Sequence, residues 1–226
     1  MSEYIKVAVD AMGGDYAPQE PVKGVVEALR EKPELYVYLV GQEDVLKKEL
    51  DKYTYPKDRL EVVHASEIIE TGEPPVHAIQ KKKDSSLVKA LRMVRSKEAS
   101  AFVSCGSTGA VLVGGQVLVG KSKGVERAPL APLIPTATGV SLLIDCGANV
   151  DARSSHLVQF ARMGSIYMEY VMGVKNPKVG LVNIGAEEEK GNALVKETYP
   201  LLKECKDINL SEMWKPEIFR KESVMS

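Results

Sequence analysis

The chain has 226 residues, 44% hydrophobic and 27% charged, enough for a sizeable core in one large domain or two small ones. A net charge of −1 gives no argument for nucleic acid or a membrane surface as partner. Cys105, Cys146 and Cys205 are odd in number, far apart and without a CxxC, which argues against a disulfide framework and a zinc site and fits a reducing compartment. The first ten residues carry an acid and become a strand at once, without a signal-peptide layout, and no apolar run approaches the ~20 residues of a membrane span. The expected location is the cytoplasm.

Ile5 to Val9 is a short apolar run that reads as a buried strand. It ends at Asp10, followed by Ala11-Met12-Gly13-Gly14-Asp15. Two glycines at the carboxyl end of a first strand let backbone approach a ligand closely, and ligands of open α/β sheets bind at that end. Asp10 and Asp15 could hold a hydroxyl, orient a lysine or cap the next helix; the turn is not GxGxxG, so the nucleotide fingerprint is absent. Pro18 to Glu31 is an amphipathic helix with Val22, Val25, Val26 and Leu29 on one side. Leu35 to Val40 is a strand, Glu43 to Lys52 a helix and Leu60 to His64 a third strand. This βαβαβ order with short loops is the signature of a parallel sheet covered by helices.

His64 and His77 have no histidine or cysteine partner in spacing and read as surface or core-edge residues. In Lys81-Lys-Lys-Asp-Ser-Ser86, Asp84, Ser85 or Ser86 can cap a helix from Leu87 to Arg95. Cations, hydroxyls and a helix start together suit phosphate, and a solvated charged face explains the same lysines. Ala101 to Val103 is a strand that runs into Ser104-Cys-Gly-Ser-Thr-Gly109, with a small-residue helix from Thr108 onward. Free N–H groups at such a helix start, with Ser104, Ser107 and Thr108 beside Gly106 and Gly109, make an anion site; a tight connection packed against a neighbouring strand is the plainer reading.

Lys121 to Arg127 is a basic loop, and Ala128 to Pro135 is an apolar segment whose three prolines prevent a regular central strand along its whole length. Val140 to Asp145 is a strand ending in Asp145-Cys-Gly-Ala-Asn-Val-Asp151. Ser154 or Ser155 caps a helix from about His156 to Met172 with Leu157, Phe160, Ala161, Gly164 and Met168 as its packed stripe. Lys178 to Ile184 is a further strand, and Glu187-Glu-Glu-Lys-Gly-Asn192 leads into a helix to about Glu204. Four strand ends, Asp10–Asp15, Ser104–Gly109, Asp145–Asp151 and Asn183–Asn192, thus carry one kind of loop, and a single parallel sheet would put all four at one edge.

Six segments carry a family resemblance: Val9 to Asp15, Lys81 to Ser86, Ser104 to Ala110, Arg127 to Pro132, Asp145 to Asp151, and Asn183-Ile-Gly with Lys190-Gly-Asn192. From Ile5 to about Asn209, in unbroken order, the chain resembles the PlsX family of phosphate acyltransferases. The resemblance implies a three-layer α/β/α sandwich with a mostly parallel sheet, like the isocitrate dehydrogenase and phosphotransacetylase group. It implies transfer of a fatty acyl group from acyl carrier protein to inorganic phosphate, giving an acyl phosphate for phospholipid synthesis. It further implies a homodimer and peripheral association with the membrane. The chemistry needs no metal, the sequence shows no metal-ligand cluster, and neither a cofactor nor nucleic acid is expected.

Phosphate oxygen attacking a thioester needs an anion held against an electron-poor carbon and donors for the tetrahedral oxyanion. Given the resemblance, Lys190, beside Gly191 and Asn192, is the candidate catalytic cation, with a solvated first-turn lysine as the alternative. Asn192 is the second catalytic candidate, and Asn149, Asp151 and Asn183 are candidates to orient phosphate or carbonyl. His156 could carry a proton or serve as a capping neighbour, and Lys82 gains weight as a phosphate ligand from the resemblance. Cys105 is set aside as an acyl-accepting nucleophile because the family usually has alanine there; Cys146 likewise matches an apolar residue. Ser107 stands where the family usually has asparagine, so its role is open. The basic segments Lys81–Lys83 and Lys121–Arg127 could receive the acidic acyl carrier protein.

After Asn209 the resemblance stops, so residues 1–208 read as an acyltransferase domain incomplete at its C-terminal side and 209–226 as a divergent tail, as in a truncated reading frame. Two other classes stay open: a non-catalytic remnant that folds and binds phosphate or a partner, and a nicotinamide- and metal-dependent dehydrogenase of related fold. Against the latter stand the missing fingerprint and the missing aspartate cluster.

Overall fold

The computed structural model describes residues 4–136, 139–185, 187, 189–211, 213 and 214. Where the sequence reads one domain over 1–208, the fold divides into two compact units, Met1–Ser122 and Lys123–Ser226.

In the first unit β1 (Ile5–Asp10), β2 (Leu35–Gly41), β3 (Leu60–His64) and β4 (Ala101–Ser104) form a parallel sheet in the order β3-β2-β1-β4. Alternation along the strands sorts the side chains. Val9, Val37 and Leu39 face one layer, α1 (Gln19–Glu31) and α2 (Glu43–Leu50), where Val22, Val26, Leu29 and Leu46 are buried with them. Ala8, Tyr38 and Val40 face α4 (Ser86–Arg95) through Ala90 and Met93. The unit is therefore a three-layer α/β/α sandwich with helices on both faces of a parallel sheet, as the alternating pattern predicts. Each fully buried leucine or valine contributes about 1.5–3 kcal/mol.

The sequence passes over α3 (Pro75–Lys81), which opens with Pro75 at its first position, where the missing N–H costs nothing. It packs with α5 (Thr108–Gly114) around Ile79, Leu87, Leu91 and Ala110. A single π-turn, Gly115–Val119, ends α5.

In the second unit β5 (Leu133–Thr136) pairs antiparallel with β6 (Gly139–Leu142). Pro135 lies opposite Val140, a position whose N–H the ladder does not use, since Leu143 N–H bonds to Pro132 O and sets the alternation. Then follow α6 (Ser154–Tyr170), β7 (Lys178–Val179), α7 (Ala193–Glu204) and β8 (Asn209–Leu210), with β7 and β8 parallel. Phe160, Ala161, Met168, Thr198 and Leu202 form its core.

Three expectations change. The regular strand expected over Val140–Asp145 stops at Leu142, and the one over Lys178–Ile184 is regular only to Val179, beyond which Trp214 bridges Val182. Arg153, not Ser154 or Ser155, is the N-cap of α6, and Ser154 Oγ donates to Glu197 on α7 at 2.7 Å. Among the described residues the hydrogen-bonded ladders behind the four loops are not one sheet: β1 and β4 are neighbours in the first unit, and the loops after Asp145 and Asn183 follow separate ladders of the second unit. Of the tail, Glu212 and residues 215–226 lie outside the described residues.

Candidate functional site

In the first unit β1 and β4 run side by side, so their loops meet. Asp10 is 3% exposed, accepts from Met12 N–H at 3.2 Å and from Ser104 Oγ–H at 2.8 Å, and Ser104 Oγ accepts from Gly106 N–H at 3.0 Å. Gly13 lies on this cluster: a Cβ there would stand 2.6 Å from Asp10 Oδ2, 2.8 Å from Gly106 N and 2.9 Å from Ser104 Oγ. The glycine thus serves the clasp between two loops. Gly14 turns away at φ +110° against Cys105. Asp10, Gly13, Gly14, Asp15 and Ser104 also line an apolar cavity of about 610 Å³ between α1 and the sheet, walled by Val7, Val9, Val25 and Val103. Asp15 and Thr108 are exposed.

Other first-unit candidates have structural tasks. Ser107 caps α5, accepting from Ala110 N–H at 3.3 Å, and Gly109 lies against Pro75. Ser85 is fully buried and caps α4, its hydroxyl accepting from Val88 N–H at 3.4 Å and donating to Lys82 O at 2.8 Å. Lys82 Nζ donates to Ile68 O at 2.6 Å and pairs with Glu73, whose carboxyl it holds below its usual pKa. The expected phosphate role of Lys82 and Ser85 therefore competes with bonds already made.

In the second unit Asp145 organises the first loop. Its Oδ1 accepts from Leu130 N–H at 2.6 Å, and its Oδ2 accepts from Asn149 N–H at 2.7 Å and Nδ2 at 3.3 Å; Asn149 Nδ2 also donates to Ala128 O. Asp151 is exposed. His156 is 5% exposed with both ring nitrogens engaged: Nδ1 accepts from Arg153 N–H at 3.1 Å and Nε2 lies 3.1 Å from Glu126 Oε2. Of its two sequence readings, proton carrier and cap, this arrangement fits the cap.

The last loop is built around Asn183, 5% exposed, which donates from Nδ2 to Lys190 O at 3.0 Å and accepts at Oδ1 from Ile184 N–H at 2.8 Å. Gly191 at φ +103° lets the backbone pass directly over the Asn183 amide, which a Cβ would strike. This places Lys190 in solvent, Nζ 2.9 Å from Glu187 Oε1, at the start of α7. Asn192 caps α7, Oδ1 accepting from Val195 N–H at 3.0 Å, and its Nδ2 has no partner among the described residues.

Asn149 and Asn192, from two separate loops, line one cavity of about 530 Å³ together with Asp145 and Gly147. Sequence reasoning singled out both asparagines but missed Asp145, Glu126 and Arg153 as the residues that hold the loops. Asp145 carried a signal, an aspartate ending an apolar run just ahead of Gly-Ala-Asn. Among the described residues no group of three or more His, Cys, Asp or Glu could hold a metal, and no helix is long and apolar enough to cross a membrane.

A family model described as fatty acid synthesis protein matches residues 5–212. A putative phosphate acyltransferase of Clostridium perfringens (strain 13 / Type A) is 55% identical over 205 residues, 91% of this chain and 60% of that protein. A phosphate acyltransferase of Clostridium botulinum (strain Alaska E43 / Type E3) is 52% identical, over 91% of this chain and 62% of its own length. The chain thus spans about 60% of the length of these relatives. Among solved structures, the EutD phosphotransacetylase from Staphylococcus aureus is similar with a TM-score of 0.66 at 15% identity, covering 97% of this chain and 73% of that one. A phosphotransacetylase from Streptococcus pyogenes gives 0.64 at 14% identity, covering 100% and 74%. At such identity these two show the fold.

Proposed function

The chain belongs to the fatty acid synthesis protein family, to which its PlsX-like motifs pointed, and from that premise we propose that it transfers an acyl group to inorganic phosphate. The observation that carries this reading is the 55% identity, over 91% of the chain, to a relative named as a phosphate acyltransferase. The donor is a fatty acyl thioester of acyl carrier protein, and the acyl phosphate product feeds phospholipid synthesis. The working unit is a homodimer in the cytoplasm, in peripheral contact with the membrane.

In the reaction a phosphate oxygen attacks the thioester carbonyl carbon, a tetrahedral oxyanion forms, the carbon–sulfur bond breaks, and the thiolate leaves with the proton that phosphate gives up. Positioning supplies much of the rate, because phosphate is already nucleophilic. The second unit supports this chemistry with the Lys190 cation and the Asn192 amide at the start of a 12-residue helix, whose N-terminus favours an anion. Asn149 lines the same cavity as Asn192. Lys190 leaves Glu187 for the phosphate, a small change because an exposed pair holds about 0–1 kcal/mol.

The test is thiol release from a long-chain acyl–acyl carrier protein, with and without inorganic phosphate. Release that requires phosphate and falls at least a hundredfold in Lys190→Ala is expected. Release at the same rate without phosphate, or no release from the folded chain, would overturn the reading for this polypeptide.

A further inference from the structure

The two asparagines that line the 530 Å³ cavity of the second unit offer a ligand opposite ends of their amides. Each side chain has a carbonyl that accepts and an NH₂ that donates, and the bonds already made decide which end is left. Asn149 Nδ2 donates to Ala128 O at 3.1 Å and to Asp145 Oδ2 at 3.3 Å. Both partners are acceptors, so only the NH₂ can face them, and both of its hydrogens are used. The end that Asn149 has to offer is the acceptor Oδ1. Asn192 is the reverse. Its Oδ1 accepts from Val195 N–H at 3.0 Å, and its NH₂ is what it has to offer. Asn183 uses both ends within its own loop, with Nδ2 donating to Lys190 O and Oδ1 accepting from Ile184 N–H.

We propose that Asn149 Oδ1 accepts a hydrogen bond from the hydroxyl of hydrogen phosphate and so makes the site selective for phosphate over sulfate. The inference rests on the reading of this cavity as the place where phosphate is bound, and it names the residue that sets the identity of the anion. A site built only from a cation, amide donors and a helix start takes any small tetrahedral anion. An acceptor in the same site does not. Phosphate carries at least one P–OH at neutral pH, whereas sulfate has the same shape and no proton. Against Asn149 a sulfate oxygen would set lone pair against lone pair, and the amide would lose its bond to water without a replacement. A site that hydrogen-bonds a hydroxyl rejects the analogue lacking it. The surroundings strengthen the acceptor. The Asp145 carboxylate takes the Asn149 backbone N–H at 2.7 Å as well as Nδ2, and hydrogen bonds in series polarise one another, which draws negative charge onto Oδ1. The same carboxylate repels a bare oxyanion brought to Asn149 and favours a hydroxyl there.

The test titrates sodium phosphate and sodium sulfate into the full 226-residue chain by calorimetry. Phosphate should bind about tenfold or more tightly than sulfate, the ratio that one hydrogen bond commands. Asn149→Ala removes the acceptor and keeps the backbone N–H on Asp145, so phosphate should weaken about tenfold, sulfate should not, and the ratio should fall towards one. Asn192→Ser removes the donors while its hydroxyl still caps α7, so both anions should weaken alike and the ratio should stand. Equal affinity for the two anions in the wild type, or an unchanged ratio in Asn149→Ala, would overturn the proposal and leave the acyl-transfer reading intact, because thiol release does not require that sulfate be excluded. A folded chain that binds neither anion would overturn the proposal together with the phosphate site itself.

Discussion

Replacing Gly13 by alanine separates two explanations of one glycine. If Gly13 is small so that a ligand can approach, the added methyl lowers phosphate binding and leaves the unliganded chain as stable as before. The structure points elsewhere. The new methyl would lie 2.6–2.9 Å from Asp10 Oδ2, Gly106 N and Ser104 Oγ, three atoms of one hydrogen-bonded cluster with no flexible end to swing aside. Overpacking of this kind costs about 1–3 kcal/mol. Prying Ser104 from the buried Asp10 carboxylate adds up to about 1.5–3 kcal/mol, the usual range for a bond to a charged group. Because one displacement relieves the clash by breaking the bond, the two overlap, and a total of about 2–4 kcal/mol is expected.

For a unit of this size about 4 °C of melting temperature corresponds to 1 kcal/mol, so the transition should fall by about 8–16 °C. Calorimetry measures it, with the first unit's transition assigned by hydrogen exchange at Val9 and Val103. Ser104→Ala, which removes the hydroxyl without adding volume, should account for about 1.5–3 kcal/mol of the loss. Gly24→Ala is the control: a Cβ there meets nothing within 4 Å, so helix propensity should make that variant more stable by up to about 1 kcal/mol. A Gly13→Ala chain melting within about 2 °C of the wild type would refute the clasp.

The Asp84 carboxylate is bonded by Lys89 Nζ at 2.6 Å and by Ser66 Oγ–H and N–H at 2.6 and 2.9 Å, which hold its pKa well below the usual aspartate value. A depressed carboxyl stabilises the fold above its unfolded pKa, so Asp84→Asn should be less stable by a constant amount between about pH 5 and 8, and urea melts should show the gap closing below about pH 4. Arg59 donates to Lys32 O at 2.8 Å, Leu35 O at 3.2 Å and Leu29 O at 2.7 Å, closing the end of α1; Arg59→Met should cost about 1–3 kcal/mol by denaturant unfolding. Asn192→Ala should lose about 0.5–2 kcal/mol of cap as well as phosphate-dependent thiol release, whereas Asn192→Ser should restore the cap and leave the release impaired; full activity in the serine variant would assign Asn192 to structure alone.

What the sequence discloses follows from how local the cause is. β1 to β4, α1 and α4 were legible because apolar runs of strand length and a 3.6-residue stripe state burial directly, and Ser85 announced its own cap. The second unit was harder to read because its causes are distant in sequence. Asp145 ties the backbone of Leu130, and Trp214 takes over the ladder of Leu181 and Asn183. The cap of α6 eluded the serine rule because His156, three residues on, accepts from Arg153 N–H, a task read from a turn and not from residue type. In the loops that the motifs named, most polar residues turn inward: Asp10, Ser85, Asn183 and His156 are nearly buried and bonded to their own chain. The groups that stay outward are those whose neighbours have taken over the structural work. Asn183 and Gly191 shape the loop, and this leaves Lys190 and the Asn192 amide outward. A motif of small polar residues therefore encodes mostly the scaffold of its own loop, and few of its groups are left outside that hydrogen-bond network.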